Sequence, residues 1–256
     1  MKFTLLQTDI QWASPEENIR RADELLRTNS GSDVYVLPEM WATGFATEPD
    51  GIAEVEETSI ALRWMQETAL ERHCAVCGSL AVRVADGTFR NRCYFCTPDS
   101  VSYYDKHHLF TYGREDLFYT AGQERRVVEY QGCRILLITC YDLRFPLWSR
   151  YKKEHPFDVI ICVANWPQSR QTAWEVLTRA RAIENQCYLV GVNRIGNDPY
   201  SQYQGSSRVV SARGDILYQC ANGMEQALCG EIDLEALRSM RERFRVLDDA
   251  DAFVLT

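Results

Sequence analysis

Three polar residues each follow a short apolar, strand-like segment, and together their side chains could hydrolyse an acyl bond. They are Glu39 after VYVL-Pro38, Lys106 after VSYY-Asp105 and Cys140 after ILLIT. Ligands of open α/β sheets bind beyond the carboxyl ends of strands, so we expect the three side chains in one pocket. A cysteine there attacks carbonyls when a carboxylate takes its proton and a cation lies nearby. The pattern indicates a nucleophile, a base and a cation.

Spacing alone leaves ordinary structural roles open for each of these residues. A cysteine at a strand end commonly belongs to the core. A glutamate after proline often caps an element or lies at the surface, and a lysine beside Asp105 is often solvated. Cys140 is distinguished by its setting in CYDLRFP, where Pro146 suits the start of a helix. The thiol would then lie at a sharp strand-to-helix turn beside free backbone N–H groups.

A non-enzymatic zinc-binding interaction module is an alternative of a different class. Two C-x-x-C pairs are separated by fifteen residues, and they consist of Cys74, Cys77, Cys93 and Cys96. The second pair lies in an extended run, where residues three apart point to opposite faces of a strand. The segment between the pairs has the pattern of a hairpin, so the core is the stronger interpretation for these cysteines.

A cysteine–histidine hydrolase is a second alternative, because a histidine could replace the carboxylate as base. The chain has four histidines, which are His73, His107, His108 and His155. The adjacent pair follows Lys106 directly, but such pairs more often pack and cap than catalyse. Replacement of each histidine with measurement of turnover would separate the two classes.

Strand-like and helix-like segments alternate along the chain and must position these residues. Ser14-Pro15 with Glu17 carries the signals of a helix start, and Asp86-Gly87 marks a tight hairpin. Arg213-Gly214-Asp215 marks a second hairpin. About eleven or twelve strands are too many for one open sheet. The sequence predicts an α/β fold with two packed sheets flanked by helices, and without linkers or repeats we expect one domain over residues 1–256.

The composition fits a cytoplasmic globular protein. The 36 acidic and 28 basic residues give a formal net charge of −8, which argues against nucleic-acid binding. The longest prominent apolar run, at 159–164, is far shorter than the roughly 18 residues of a membrane span. The first residues, MKFTLLQTDIQW, lack the apolar block and cleavage site of a secretory signal. We therefore expect neither nucleic acid nor membrane as a partner.

The motifs around the three residues resemble those of the nitrilase superfamily of carbon–nitrogen hydrolases. The segments similar to its Glu, Lys and Cys motifs occur in the same chain order and are LPEM (37–40), YDKHHLF (104–110) and CYDLRFP (140–146). The resemblance continues through VANWP (163–167), RARAIENQ (179–186) and GSSRVV (205–210), and it covers nearly the whole chain. It implies a four-layer α-β-β-α sandwich of the nitrilase type and commonly a homodimer.

The resemblance also implies catalytic roles for individual residues. Glu39 would be the general base and Cys140 the nucleophile. Lys106 and the backbone N–H of Tyr141 would stabilise the oxyanion of the tetrahedral intermediate. Glu115 in GREDLFY matches a second active-site glutamate of many family members.

Two of the candidate site residues keep alternatives. Glu115 could instead be a solvated loop carboxylate beside Asp116. Arg144 could bind a substrate carboxylate or hold the turn through a structural ion pair, and Arg179 is a weaker candidate for the carboxylate.

The motif flanks are most like the omega-amidase branch of the superfamily. This resemblance implies a cysteine-dependent amidase that acts on short 2-oxo dicarboxylic acid monoamides, such as 2-oxoglutaramate. The terminal amide would be hydrolysed through a thioester to the acid and ammonia, without a metal or an organic cofactor. Hydrolysis of carbamoyl amides or nitriles is the alternative within the superfamily.

Overall fold

Helices form where buried residues recur at helical spacing. In a computed structural model that describes residues 1–254, the four helices are α1 (Pro15–Thr28), α2 (Ile60–Arg72), α3 (Gln171–Glu184) and α4 (Leu234–Arg243). α1 buries Asn18, Ala22 and Leu26, which lie four residues apart on one face. Among the described residues, no helix is both long and apolar enough to cross a membrane. Residues 255–256 of the predicted domain lie outside the described range.

Seven strands, numbered in chain order, form the first sheet. They are β1 (Lys2–Gln7), β2 (Val34–Val36), β3 (Glu54–Val55), β4 (Ala75–Arg83), β5 (Phe89–Cys96), β6 (Val101–Asp105) and β15 (Gln226–Glu231). Their order is β15-β1-β2-β4-β5-β6, with β3 beside β4. β1, β2 and β4 are parallel, whereas β5 runs against both β4 and β6. β2, β4 and β6 therefore end at the same edge of the sheet.

Six further strands form the second sheet. They are β7 (Arg126–Tyr130), β8 (Cys133–Thr139), β9 (Val159–Ala164), β10 (Tyr188–Asn193), β13 (Arg208–Val210) and β14 (Ile216–Gln219). Their order is β14-β13-β10-β9-β8-β7, and β8, β9 and β10 are parallel. A separate two-stranded ribbon consists of β11 (Ile195–Asn197) and β12 (Gln202–Gln204).

The two sheets pack face to face between layers of helices. One core cluster contains Phe3 and Phe95 of the first sheet together with Ile135 of the second, and Trp174 of α3 joins it. A second cluster seals the other face of the first sheet, where Leu26 of α1 and its neighbours from α2 pack on the strands. Burial of apolar surface on both faces of each sheet stabilises this arrangement. The predicted α-β-β-α sandwich is confirmed.

Local turn signals were accurate at the hairpins. β4 and β5 pair antiparallel around Asp86-Gly87, and Gly87 has the positive φ of 83° that such turns favour in glycine. Asp86 closes the turn by accepting the Thr88 N–H at 2.8 Å. β13 and β14 form the second predicted hairpin around Gly214, whose φ is 88°.

One prediction about helix starts was confirmed and the other was wrong. α1 begins at Pro15 directly after Ser14, as predicted, although the Ser14 side chain makes no capping hydrogen bond. No helix begins at Pro146, because a 3₁₀ turn over Cys140–Arg144 ends in extended Phe145, the conformation favoured before proline. Trp148 then stacks on the His107 ring at 3.7 Å, which holds the following chain in turns.

Candidate active site

The ends of strands from both sheets meet at one point between the layers. Glu39 follows β2, Lys106 follows β6, and Cys140 follows β8. The Lys106 N–H donates to Asn91 O at 2.9 Å, which continues the strand pairing one residue beyond β6. Glu39 and Lys106 are buried, whereas Cys140 is half-buried. The structure therefore brings the three predicted side chains together.

Lys106 lies between two buried carboxylates. Its ammonium donates to Glu39 Oε1 and to Glu115 Oε2, each at 2.8 Å. Glu115 is 0% exposed, so it is not the solvated loop carboxylate that the sequence left open. Burial disfavours the ammonium, but Glu115 and Glu39 outweigh it and hold the pKa of Lys106 well above its ordinary value. Lys106 is therefore a fixed cation at neutral pH.

Glu39 and the Cys140 thiol meet at the backbone of Asn165. The Asn165 N–H donates to Glu39 Oε2 at 2.8 Å, and the thiol of Cys140 donates to Asn165 O at 3.9 Å. Burial and the negative charge of Glu39 raise the pKa of the Cys140 thiol well above its ordinary value, against the effect of Lys106. The thiol thus carries its proton in the free enzyme, and its activation requires a base.

The nucleophile position lies on a strained turn. Cys140 has a positive φ of 43°, which a non-glycine residue adopts only where its surroundings enforce it. Asp142 supplies this constraint, since it accepts hydrogen bonds from Thr139 N and Tyr104 OH at 2.9 and 2.7 Å. It also accepts the backbone N–H of His108 at 2.9 Å. The Lys106 segment and the Cys140 turn are thereby joined through one buried carboxylate.

The adjacent histidines support this turn. His108 Nδ1 lies 2.8 Å from Asp142 Oδ1, and its ring stacks on Phe145 at 3.7 Å. His107 Nδ1 lies 2.6 Å from Gly122 O. Both rings are thus held by contacts that pack and cap, which favours the structural interpretation over a cysteine–histidine pair.

A cavity of about 470 Å³ opens above the thiol. Cys140, Tyr141 and Asn165 line it on the side of the reacting groups, with Trp166 and Phe110 among its apolar walls. This volume is in the range of pockets that bind small molecules.

Arg144 lines this cavity, and its guanidinium lies 4.8 Å from the Trp166 ring centroid. Arg170 lines the same cavity, with its guanidinium 5.2 Å from the Phe110 ring centroid. Among residues 1–254, each of these guanidinium groups contacts an aromatic ring and forms no ion pair, so the ion pair considered for Arg144 is not present there. Arg179 lines a separate surface depression with Glu175, so its weaker candidacy is also wrong.

The cysteines of the two C-x-x-C pairs do not converge. Cys77 and Cys93 pack into the core between the sheets, with sulfur atoms 3.8 Å apart. Cys74 and Cys96 pack on the opposite face of the first sheet, among residues of its helical layer. The first sheet itself lies between Cys77 and Cys93 on one face and Cys74 and Cys96 on the other, as the alternating side-chain directions of a strand require. Among residues 1–254, no cluster of three or more potential ligands could hold a metal ion.

Three residues of this site were missed by sequence reasoning. Asn91 donates to both carboxylates, Asn165 contacts the base and the thiol, and Arg170 contributes a cation to the cavity. The VANWP motif that contains Asn165 was recognised only as a resemblance. Asn91 and Arg170 carried no local signal.

Comparisons with known proteins agree with this architecture. Residues 2–242 match the Carbon-nitrogen hydrolase family. "Omega-amidase YafV" of Yersinia enterocolitica is 42% identical, over 100% of this chain and 98% of that relative. "2-oxoglutaramate amidase" of Bacillus subtilis is 35% identical, over 97% and 98% respectively.

Solved structures extend the likeness to the fold. A protein of Xanthomonas campestris, described as a carbon-nitrogen hydrolase superfamily protein with an arsenic adduct in the active site, is 38% identical. It superposes with a TM-score of 0.95 and covers 100% of this chain and 99% of its own. The chain therefore belongs to the carbon-nitrogen hydrolase family and is a hydrolase of carbon–nitrogen bonds.

Proposed function

We propose that this protein is an omega-amidase that hydrolyses the terminal amide of short 2-oxo dicarboxylic acid monoamides of the 2-oxoglutaramate type. The observation that carries the proposal is the convergence of Glu39, Lys106 and Cys140 beneath a cavity lined by three guanidinium groups. These belong to Arg114, Arg144 and Arg170. Relatives that bear the names omega-amidase and 2-oxoglutaramate amidase align over almost the entire chain and support it.

Acylation begins with transfer of the Cys140 proton to Glu39 as the sulfur attacks the amide carbonyl. Lys106 has three N–H groups, of which two bind carboxylates, and the third is free to bind the oxyanion. Tyr141 lies in the first turn of its 3₁₀ segment, where backbone N–H groups have no intrahelical acceptor, and it supplies the second donor. The C–N bond then breaks, and protonated Glu39 gives its proton to the leaving nitrogen, which departs as ammonia.

Glu39 is also the base in deacylation, where water replaces the thiol as the proton donor. Glu39 takes a proton from a water molecule, whose oxygen attacks the thioester carbonyl while Lys106 and Tyr141 again stabilise the oxyanion. The C–S bond breaks and the sulfur recovers the proton from Glu39. Glu115 does not exchange protons in this scheme, because it serves to hold Lys106 in place.

The substrate carboxylate binds the guanidinium groups of the cavity. Arg144 is the first candidate because it lies four residues beyond Cys140 and already stacks on Trp166. A charge-assisted bidentate pair would orient the acid end and place the amide over the thiol. The net charge of −8 disfavours anions at long range, but screening over about 8 Å makes the charges that line the cavity decisive. The three arginines outnumber the two carboxylates there, which belong to Glu48 and Asp198.

The activity is tested with a panel of short amides, carbamoyl compounds and nitriles, with ammonia release as the readout. We expect 2-oxoglutaramate to give the highest kcat/KM, and intact-mass measurement to show a transient acyl adduct on the wild-type chain but none in Cys140→Ser. A preference for carbamoyl compounds or nitriles would reject the substrate class and retain the thiol mechanism. Absence of any adduct together with full activity of Cys140→Ala would reject the mechanism itself.

The role of Arg144 is tested by comparison of 2-oxoglutaramate with a neutral amide of similar length. Arg144→Met should lower kcat/KM for the anion at least tenfold more than for the neutral amide, because it removes a charge-assisted contact. Arg179→Met removes the same charge outside the cavity and should change neither value more than twofold. If Arg170→Met rather than Arg144→Met loses the preference, Arg170 binds the carboxylate and the assignment of Arg144 is wrong.

We also propose that the chain forms one domain and assembles as a cytoplasmic homodimer. Exposed apolar side chains support an assembly surface, and they are Val176 and Ile183 on α3 and Leu147 in the turns that follow Cys140. All ten cysteines are free thiols, which fits a reducing compartment. Analytical ultracentrifugation of wild type and Val176→Glu tests the assembly, and a monomeric wild type would reject it.

A further inference from the structure

Asn91 of β5 joins the two buried carboxylates of the site. Its side-chain Nδ2 donates to Glu39 Oε1 at 2.8 Å and to Glu115 Oε1 at 2.9 Å. An amide nitrogen has two N–H groups, so these two bonds use its full donor capacity. Asn91 is 1% exposed, so both contacts lie in the protein interior.

The orientation of this amide is enforced by its other neighbours. The Met40 N–H donates to Ser79 Oγ at 2.9 Å, so the hydroxyl proton of Ser79 remains available. Ser79 Oγ donates that proton to Asn91 Oδ1 at 2.9 Å. The amide oxygen is therefore engaged on the side away from the carboxylates, and the nitrogen must face them. Ser79 and Asn91 lie on the paired strands β4 and β5, which makes this chain of donors rigid.

The charge balance of the site shows what the amide contributes. Two buried carboxylates share the ammonium of Lys106. Burial and the negative charge of Glu39 raise the pKa of Glu115 above its ordinary value, although Lys106 and the hydrogen bond from Asn91 act in the opposite direction. The other ionisable groups that face them are Cys140, Tyr119 and Cys162, and burial raises the pKa of all three. These groups are neutral near pH 7 and offer no compensation. A neutral group that donates to both carboxylates stabilises their charges without adding one.

We propose that Asn91 is a positioning residue that holds Glu39 and Glu115 on either side of Lys106 and, by donating to both, favours their carboxylate form. Glu39 is then held through its Oε1 atom by Asn91 and Lys106, while its Oε2 atom accepts the Asn165 N–H. Asn91 acts through the base and touches no reacting atom. This inference rests on the proposed function, since it takes Glu39 as the base for Cys140.

The first test follows the alkylation of Cys140 by iodoacetamide as a function of pH, with peptide mass spectrometry in a Cys229→Ser background because Cys229 is exposed. This readout requires no amide substrate. We expect an acid limb in the wild type whose midpoint rises by about one pH unit in Asn91→Ala, because hydrogen bonds to an ionised carboxylate favour that form. Asn91→Asp should raise the midpoint further, since it places a third carboxylate against the other two.

The second readout is the decay of the acyl-enzyme, in which Glu39 must be ionised to activate water. At pH values below the midpoint, Asn91→Ala should slow this decay about tenfold, and the deficit should disappear at high pH. Ser79→Ala removes the anchor of the amide and leaves both carboxylate contacts, so it should shift the midpoint in the same direction by less. Asn185→Ala serves as the matched control, because it removes a buried asparagine whose Nδ2 donates to Arg181 O.

The outcomes separate this inference from the proposed function. A midpoint that stays at the wild-type value in folded Asn91→Ala, or a deficit that is equal at all pH values, would overturn the positioning role while the amidase mechanism stands. A wild type without any acid limb would overturn both, because Glu39 would then not control the thiol. If Asn91→Ala does not fold, an unmoved midpoint in Ser79→Ala decides against the inference.

Discussion

Replacement of Glu115 by glutamine removes one charge from the buried site with little change in shape. Glu115 accepts three hydrogen bonds, from Asn91 Nδ2 at 2.9 Å, Lys106 Nζ at 2.8 Å and Phe110 N at 2.6 Å. The last two reach the same oxygen atom. A glutamine would keep its single oxygen there, and its NH₂ group would then face the NH₂ group of Asn91.

The expected loss follows from this geometry. Lys106 would lose one of two charged partners, and one buried donor of Asn91 would lose its acceptor. A hydrogen bond to a charged group contributes about 1.5–3 kcal/mol, and an unsatisfied buried donor costs a similar amount. Because the variant relaxes in part, we expect a net loss of about 2–3 kcal/mol of transition-state stabilisation, or roughly 30- to 150-fold in kcat/KM.

The assay is ammonia release from 2-oxoglutaramate, with circular dichroism as a check that the variant is folded. Asp116→Asn is the matched control, because it removes the same charge from the adjacent exposed residue. We expect this control to remain within twofold of wild type. Folded Glu115→Gln with kcat/KM within twofold of wild type would refute the view that Glu115 holds Lys106 for the reaction.

Three further predictions concern nucleophile, cation and stability. Cys140→Ala should abolish turnover while the protein remains folded. Cys74→Ala truncates a core side chain, so urea titrations should show a loss of about 1–3 kcal/mol in the free energy of unfolding, with unchanged kcat. Lys106→Met should lower kcat at least about a hundredfold, and a folded variant with full ammonia release would exclude Lys106 from the oxyanion site. Burial opposes ionisation of Asp158, but hydrogen bonds from Arg134 outweigh it and hold the Asp158 pKa below its ordinary value. The ionised Asp158 therefore adds its full share to the free energy of unfolding above about pH 4, and this share is lost as pH falls through the lower pKa of the folded state. In urea titrations below pH 4, the free energy of unfolding should fall less steeply with pH in Asp158→Asn than in wild type. An equal slope in the two proteins would contradict this assignment.

Much of the fold is predictable from the sequence because its signals are local. Gly87 and Gly214 mark hairpins that form as expected, since positive φ is a property of single residues. The prediction of a helix at Pro146 failed for the complementary reason. Stacking of Trp148 on His107, a contact across 41 residues of chain, decides the conformation there.

The sequence predicted the location of some candidate site residues better than that of others. The motifs around Glu39, Lys106 and Cys140 are recognisable as short segments, and the structure places all three together. Their catalytic roles remain predictions that the experiments above test. The sequence left Glu115 undecided between the site and solvent, because burial depends on the chain that folds over the residue and not on its neighbours in the sequence.

The sequence by itself determined the family, the sandwich architecture and the residue types available for thiol chemistry, because these depend on local periodicity and short motifs. Only the tertiary structure decided which polar groups complete the site. Asn91 reaches Glu39 across 52 residues of chain, and Asn165 reaches it across 126. Such contacts arise when the two sheets pack and leave buried polar atoms that must find partners. Local patterns do not encode that pairing, since it depends on the distance in space between strand ends that are far apart in the chain.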